Sequence, residues 1–204
     1  MNKNDLAQRI QDFWEWFDEN RQVIEKVVSE SLHPQTNYVV EQLDQHLLGM
    51  GKLKWQLGNP QPFKFTLTLS PNNERKLLAI TQSIVQNANK AHGWEYHHAI
   101  PGKSTYEVDL YDIEMEIRSI TAHHWKVIPL IEPDGRYELL IDAPELFELD
   151  EDTQLIAVDL MLTDVLGEEL KINCLSGFQI IDEVEDDQTN DLIPIQHLSQ
   201  ILIR

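Results

Sequence analysis

One order of patterns occurs twice in this chain of 204 residues, and it constrains the fold more than any single motif does. From residue 52 the sequence alternates Lys52, Leu53, Lys54, Trp55, Gln56, Leu57, which puts Leu53, Trp55 and Leu57 on one face of a strand. Gly58, Asn59 and Pro60 supply a turn. Phe63, Phe65, Leu67 and Leu69 then alternate with polar residues as a half-buried second strand. Ser70 and Pro71 read as the cap and first turn of a helix over 71–91, with Leu77, Ile80, Ile84 and Ala88 as its buried stripe. Gly93 stops that helix and a strand over 94–100 follows. The order restarts at Trp125: a strand over 125–131, the turn Pro133-Asp134-Gly135, a hairpin mate over 137–141, a helix over 152–166 and a strand over 170–181. The halves share little identity beyond their leading tryptophans, so the repeat rests on order and length. Two ββαβ-like halves, 52–100 and 124–181, are therefore expected to join one mostly antiparallel sheet with helices packed on one face, an α+β fold.

A helical pair over 5–48 precedes them. Leu6, Ile10, Phe13, Phe17, Ile24 and Val27 step by three, four or seven, and Pro34 separates this helix from a second over 37–48. Val40, Leu43, Leu47 and Met50 form the stripe of that second helix, with Gly49 and Gly51 at its end. The helix over 152–166 is apolar on more than one side and should be central. Residues 101–123 read as a connector, with an edge strand or irregular arm at 106–111 and a short strand at 113–117. Residues 182–204 read as an acidic loop and a short terminal helix. All of this is expected to form a single compact domain over 1–204.

Charge is the second constraint. Sixteen Lys and Arg face thirty-five Asp and Glu, a formal net charge of -19. Residues 131–204 hold three bases against nineteen acids, so nearly all the excess lies in the last third. Such a region repels phosphate backbones, and direct nucleic-acid binding is not expected. No apolar run reaches the ~18 residues a membrane helix needs, and the acidic start does not read as a signal peptide. One cysteine, Cys174, excludes an internal disulfide framework, and a reducing cytoplasm is the expected compartment.

Catalytic signals are sparse. His92, His97 and His98 surround one strand, and His123 and His124 precede another. Glu95 lies two residues before His97, on the same strand face, so Glu95, His97, His123 and His124 are the candidate metal ligands if the two strands are neighbours. The sequence holds no HExxH and no helical i, i+4 histidine pair. Cys174 sits in an apolar stretch read as strand, without bases to lower its pKa. Gly102-Lys103-Ser104 lacks the upstream glycine of a phosphate loop. No cofactor is implied, and no catalytic residue is assigned.

Binding signals are stronger. Phe13, Trp14, Trp16 and Phe17 crowd one helix, yet positions 14 and 16 diverge by ~200° at 3.6 residues per turn. At least one tryptophan must face another element, a partner or water. Glu148, Asp150, Glu151 and Asp152, with Asp186 and Asp187 in the 182–187 cluster, form two stretches without any Lys or Arg. Together with Trp14 and Trp16 they are the candidate partner-binding residues.

Four short motifs, Phe13–Phe17, Leu53–Gly58, Gly93–Glu95 and Val165–Glu169, resemble a group of uncharacterised bacterial proteins of about 200 residues, a domain of unknown function. The resemblance implies a bacterial origin and an α+β fold, and it transfers no site residues. Two function classes remain open. One is a non-enzymatic binding or regulatory protein, such as an inhibitor or immunity-type partner of a protein with a basic surface. The other is a metal-dependent hydrolase using the histidines near 92–98 and 123–124.

Overall fold

The computed structural model describes residues 3–30, 32–61, 64–103, 105–182 and 191–203. The chain divides into two compact units, Met1–Ile100 and Pro101–Arg204. Its buried side chains gather into two apolar clusters.

In the first unit, α1 (Lys3–Ser29) and α2 (Thr36–Leu48) precede a three-stranded sheet of β1 (Lys54–Gln61), β2 (Lys64–Ser70) and β3 (Trp94–His97), in that spatial order. β1 and β2 pair antiparallel. α3 (Arg75–Gln86) carries the chain across, so β3 returns parallel to β2, as a helical crossover requires. Phe13, Trp14 and Phe17 of α1 pack with Leu67, Leu69 and Trp94 of the sheet, all buried.

Three local expectations are corrected here. Gly58–Pro60 is no turn. It lies inside β1, where the register shifts before pairing resumes at Gln61 and Lys64, the place a strand tolerates glycine and proline. Phe63 lies outside the described residues. Ser70 does not cap α3. Its hydroxyl accepts from the Asn72 amide at 3.0 Å, Asn72 and Asn73 take positive φ, and the helix starts only at Arg75, which turns Leu78, Thr81 and Ile84 inward. In α2, Val39 rather than Val40 is buried beside Leu43 and Leu47.

The second unit begins with a separate two-stranded ribbon, β4 (Glu107–Tyr111) and β5 (Ile117–Thr121). β6 (Lys126–Ile131) and β7 (Tyr137–Asp142) form the second hairpin. A 3-10 turn at Pro144–Glu148 leads into α4 (Glu151–Leu166), then α5 (Glu168–Cys174) and β8 (Leu175–Ile181), which lies parallel to β7. β9 (Ile193–Pro194) joins β6, and a 3-10 turn at Ile195–His197 leads into the terminal α6 (Leu198–Leu202). The sheet order is β8-β7-β6-β9.

Both halves thus show the strand, strand, helix, strand order, with helices packed alongside mixed sheets. The strands of the two halves hydrogen-bond into separate sheets, not one. Residues 168–174 are helix, where a strand was expected from 170 onward. Gly167, at φ +76°, ends α4 and starts α5 in one step, so Glu168 and Lys171 turn inward and Cys174 closes a helix. Lys171 is 8% exposed and fully committed: its Nζ donates to Asp159 Oδ1 at 2.6 Å, Asp159 O at 3.0 Å and Thr163 Oγ1 at 2.9 Å. In place of the expected strand at 113–117, residues 113–116 lie in the turn between β4 and β5, and Ile117 opens β5.

Gly102-Lys103 acts as a clasp on the same junction. A Cβ on Gly102 would come within 3.0 Å of Gly167 N and 3.2 Å of the Leu166 carbonyl carbon. Lys103 N donates to Asp164 O at 2.7 Å, and Lys103 Nζ lies 2.9 Å from Asp164 Oδ1. Ser104 lies outside the described residues.

Candidate functional site

The acidic stretch read from sequence lands on the approach to α4. Glu148, Glu151 and Asp152 are exposed. Asp150 is not available in the same way, because it is the N-cap of α4. Its carboxylate accepts from Thr153 N at 3.0 Å and Thr153 Oγ1 at 2.5 Å, and these bonds hold its pKa below the usual carboxylate range. Asp186 and Asp187 lie outside the described residues.

Next to these acids the surface is apolar. Leu155 and Ile156 are about half exposed, and Leu160 is exposed one turn on. Spacing by four puts Glu151 beside Leu155 and Asp152 beside Ile156, with Leu160 continuing the row. Phe147, exposed in the 3-10 turn, adds an aromatic side chain before the helix begins. α4 is therefore not wholly buried, as its sequence suggests. Ala157, Val158, Met161 and Leu162 are fully buried while the Leu155–Leu160 row stays outside. An apolar strip edged by carboxylates is suited to a protein surface carrying Lys and Arg.

The turn between β4 and β5 is the feature sequence reading missed. Tyr111, Ile113, Met115 and Ile117 are 60%, 76%, 74% and 64% exposed. The loop is built around Asp112. Its Oδ1 accepts from Glu114 N and Glu116 N, each at 2.9 Å, and its Oδ2 accepts from Arg118 Nε at 2.6 Å. Arg118 and these amides depress the Asp112 pKa, the side-chain bond to Arg118 contributing most. The signal was present as alternation, Ile-Glu-Met-Glu-Ile, which equally fits a strand. The carboxylate that folds it into a turn gives no periodicity to read.

A folded-state pKa below the ordinary one adds stability that is complete above the ordinary aspartate range near ~4 and is lost as pH falls through the lowered value. Hydrogen-exchange protection of the Glu114 and Glu116 amides is expected to hold from pH 7 down to about 4 and to fall below that. Protection lost already at pH 6, or unchanged in Asp112→Ala, contradicts this.

The histidine candidates fall into both compact units. Glu95 and His97 sit in the first unit, 4.0 Å apart, and His123 and His124 in the second. His123 Nε2 lies 3.7 Å from Glu107 Oε1 and its ring is 5.7 Å from that of Tyr106, while His124 is exposed. Among the described residues no group of three or more His, Cys, Asp or Glu could hold a metal ion. Cys174 is half-buried at the end of α5, and burial pushes its thiol pKa up, away from reactivity.

The two tryptophans part as the helix geometry requires, and neither points to open solvent. Trp14 is 3% exposed and its Nε1 donates to Ile84 O at 2.7 Å. Trp16 stacks on His46 of α2 at 5.0 Å, where burial lowers the histidine pKa against the pull of Asp12. Beside Trp14 an open groove of about 750 Å³ runs between α1 and α3, floored by Leu6, Ile10 and Ile80 and edged by Gln11, Ser83 and Asn87.

Comparison with protein-family models, with curated proteins and with solved structures finds no match. No helix among the described residues is long and apolar enough to cross a membrane.

Proposed function

We propose that this chain is a non-enzymatic binding or regulatory protein, an acidic inhibitor or immunity-type partner of a protein with a basic surface. The observation that carries the reading is the exposed apolar row Leu155, Ile156 and Leu160 set against Glu148, Glu151 and Asp152. Apolar contact supplies affinity when such a row is covered, and the carboxylates favour Lys and Arg at its edge and oppose nucleic acid. The excess of acids over bases in residues 131–204 adds long-range steering toward a cationic partner.

The test uses a protein captured on the full chain from the cation-exchange-retained fraction of a host lysate, then identified and purified. Its association rate is expected to fall by about tenfold or more between low and moderate salt. It should fall again for Glu148→Gln/Glu151→Gln/Asp152→Asn, which leaves the Asp150 cap in place. An association rate indifferent to both salt and these substitutions contradicts the reading.

A further inference from the structure

We infer that the β4–β5 hairpin is a docking arm that seats Ile113 and Met115, with Tyr111 and Ile117 behind them, in an apolar pocket rimmed by Lys and Arg on a partner protein. This rests on the reading that the partner is a basic protein, and adds the surface that grips it.

Four large apolar side chains at one turn, each more than half exposed, form the kind of patch a protein seldom leaves in water without a use. Their placement follows from the register. Tyr111 pairs with Ile117 across the ribbon, so both stand on its outer face, in line with the pairs Asp109–Ser119 and Glu107–Thr121. The alternate pair, Val108 and Ile120, is buried in the second unit's core. The apolar ridge is thus the face the core does not use.

The tip is also preformed. Beyond the three bonds to the Asp112 carboxylate, Asp112 N donates to Glu116 O at 2.9 Å and Met115 N donates to Asp112 O at 3.0 Å. Met115 itself sits at φ +62°, a conformation a side chain other than glycine rarely adopts. These contacts fix the backbone so that Ile113 and Met115 project outward before any partner arrives, which lowers the ordering cost of association. Methionine adds a flexible, polarisable side chain that adapts to an irregular pocket.

Charge selects the occupant. Glu107, Asp109, Glu114 and Glu116 lie along the hairpin, and its one cation, Arg118, is held by Asp112 and Glu116. An acidic arm is repelled by anionic lipid headgroups, by nucleic acid and by a second copy of the same arm. A pocket with Lys or Arg at its rim complements it.

The test places p-benzoylphenylalanine at position 115 of the full chain, and in a control at position 131, where Ile131 is equally exposed on β6. Each is irradiated with the same cation-exchange-retained lysate fraction. The expected result is an adduct from position 115 and none from position 131. The linked protein, once purified, should bind the unlabelled chain with a Kd raised about tenfold or more by Ile113→Ser/Met115→Ser. Both replaced side chains are exposed, so the thermal midpoint of that variant should match the parent. Absence of an adduct from 115, an adduct with a second copy, or a Kd unmoved by the tip variant would overturn the inference. So would tip-dependent binding to phosphatidylcholine vesicles in place of a protein. A partner that binds with salt sensitivity but ignores the tip variant removes the docking arm and leaves the basic-partner reading intact. Salt-indifferent binding, unmoved by Glu148→Gln/Glu151→Gln/Asp152→Asn, removes that reading and the charged rim together.

Discussion

Trp14→Ala is expected to cost the first unit about 3–5 kcal/mol, the range for emptying a buried aromatic site. Trp14 meets Phe13, Phe17 and Tyr96 edge-on, with centroids 4.8, 5.4 and 4.9 Å away. Its indole N–H also ties α1 to the last turn of α3 through Ile84 O, a carbonyl that the Asn87 amide shares at 3.2 Å. Truncation removes both the packing and that bond. Trp14→Phe should recover part of the loss, because the ring remains and only the donor is gone. Denaturant unfolding followed by hydrogen exchange in residues 10–97 reads the effect locally, since two units need not unfold as one. A loss below about 1 kcal/mol would mean that Trp14 is a surface residue after all.

Leu162→Ala should cost the second unit about 2–5 kcal/mol. Leu162 is fully buried at the centre of α4, beside Val158 and Met161 in the core that also takes Val127, Leu139 and Ile141 from the sheet. The neighbouring Ile156→Ser provides the contrast. Ile156 is 49% exposed on the same helix, and its replacement should shift stability by no more than about 0.5–1 kcal/mol. Similar losses at the two positions would show that the Leu155–Leu160 row is covered within the chain, and would remove the surface on which the proposed function depends.

The two positions also show where sequence reading works. Alternation over Phe65, Leu67 and Leu69 and the three-and-four spacing through Ile10, Phe13 and Phe17 are local patterns, and these six side chains are buried, while Leu6 and Val27 at the ends of the helical stripe are partly buried. The turn at Pro133-Asp134-Gly135 joins β6 to β7 because its residues fix their own backbone angles. Where a residue could serve two patterns, neighbours far along the chain decided. Residues 170–174 alternate well enough for a strand, but Lys171 finds its acceptors on α4 only as part of a helix. The tryptophans divided similarly: spacing showed that positions 14 and 16 face apart, while Ile84 and His46 determine what each meets.

For the candidate site the division is the same. The sequence by itself determined that the last third is acidic, that its acids border an apolar helix, and that two strand, strand, helix, strand halves follow a helical pair. Composition and period carry those facts, and both are properties of neighbouring residues. Only the tertiary structure decided which of those acids are spent, as Asp150 is on the α4 cap, and which apolar residues stay in water, as Ile113 and Met115 do. Exposure depends on which face of an element the rest of the chain covers. In the β4–β5 ribbon the core takes Val108 and Ile120, and the turn held by Asp112 keeps the other face outside.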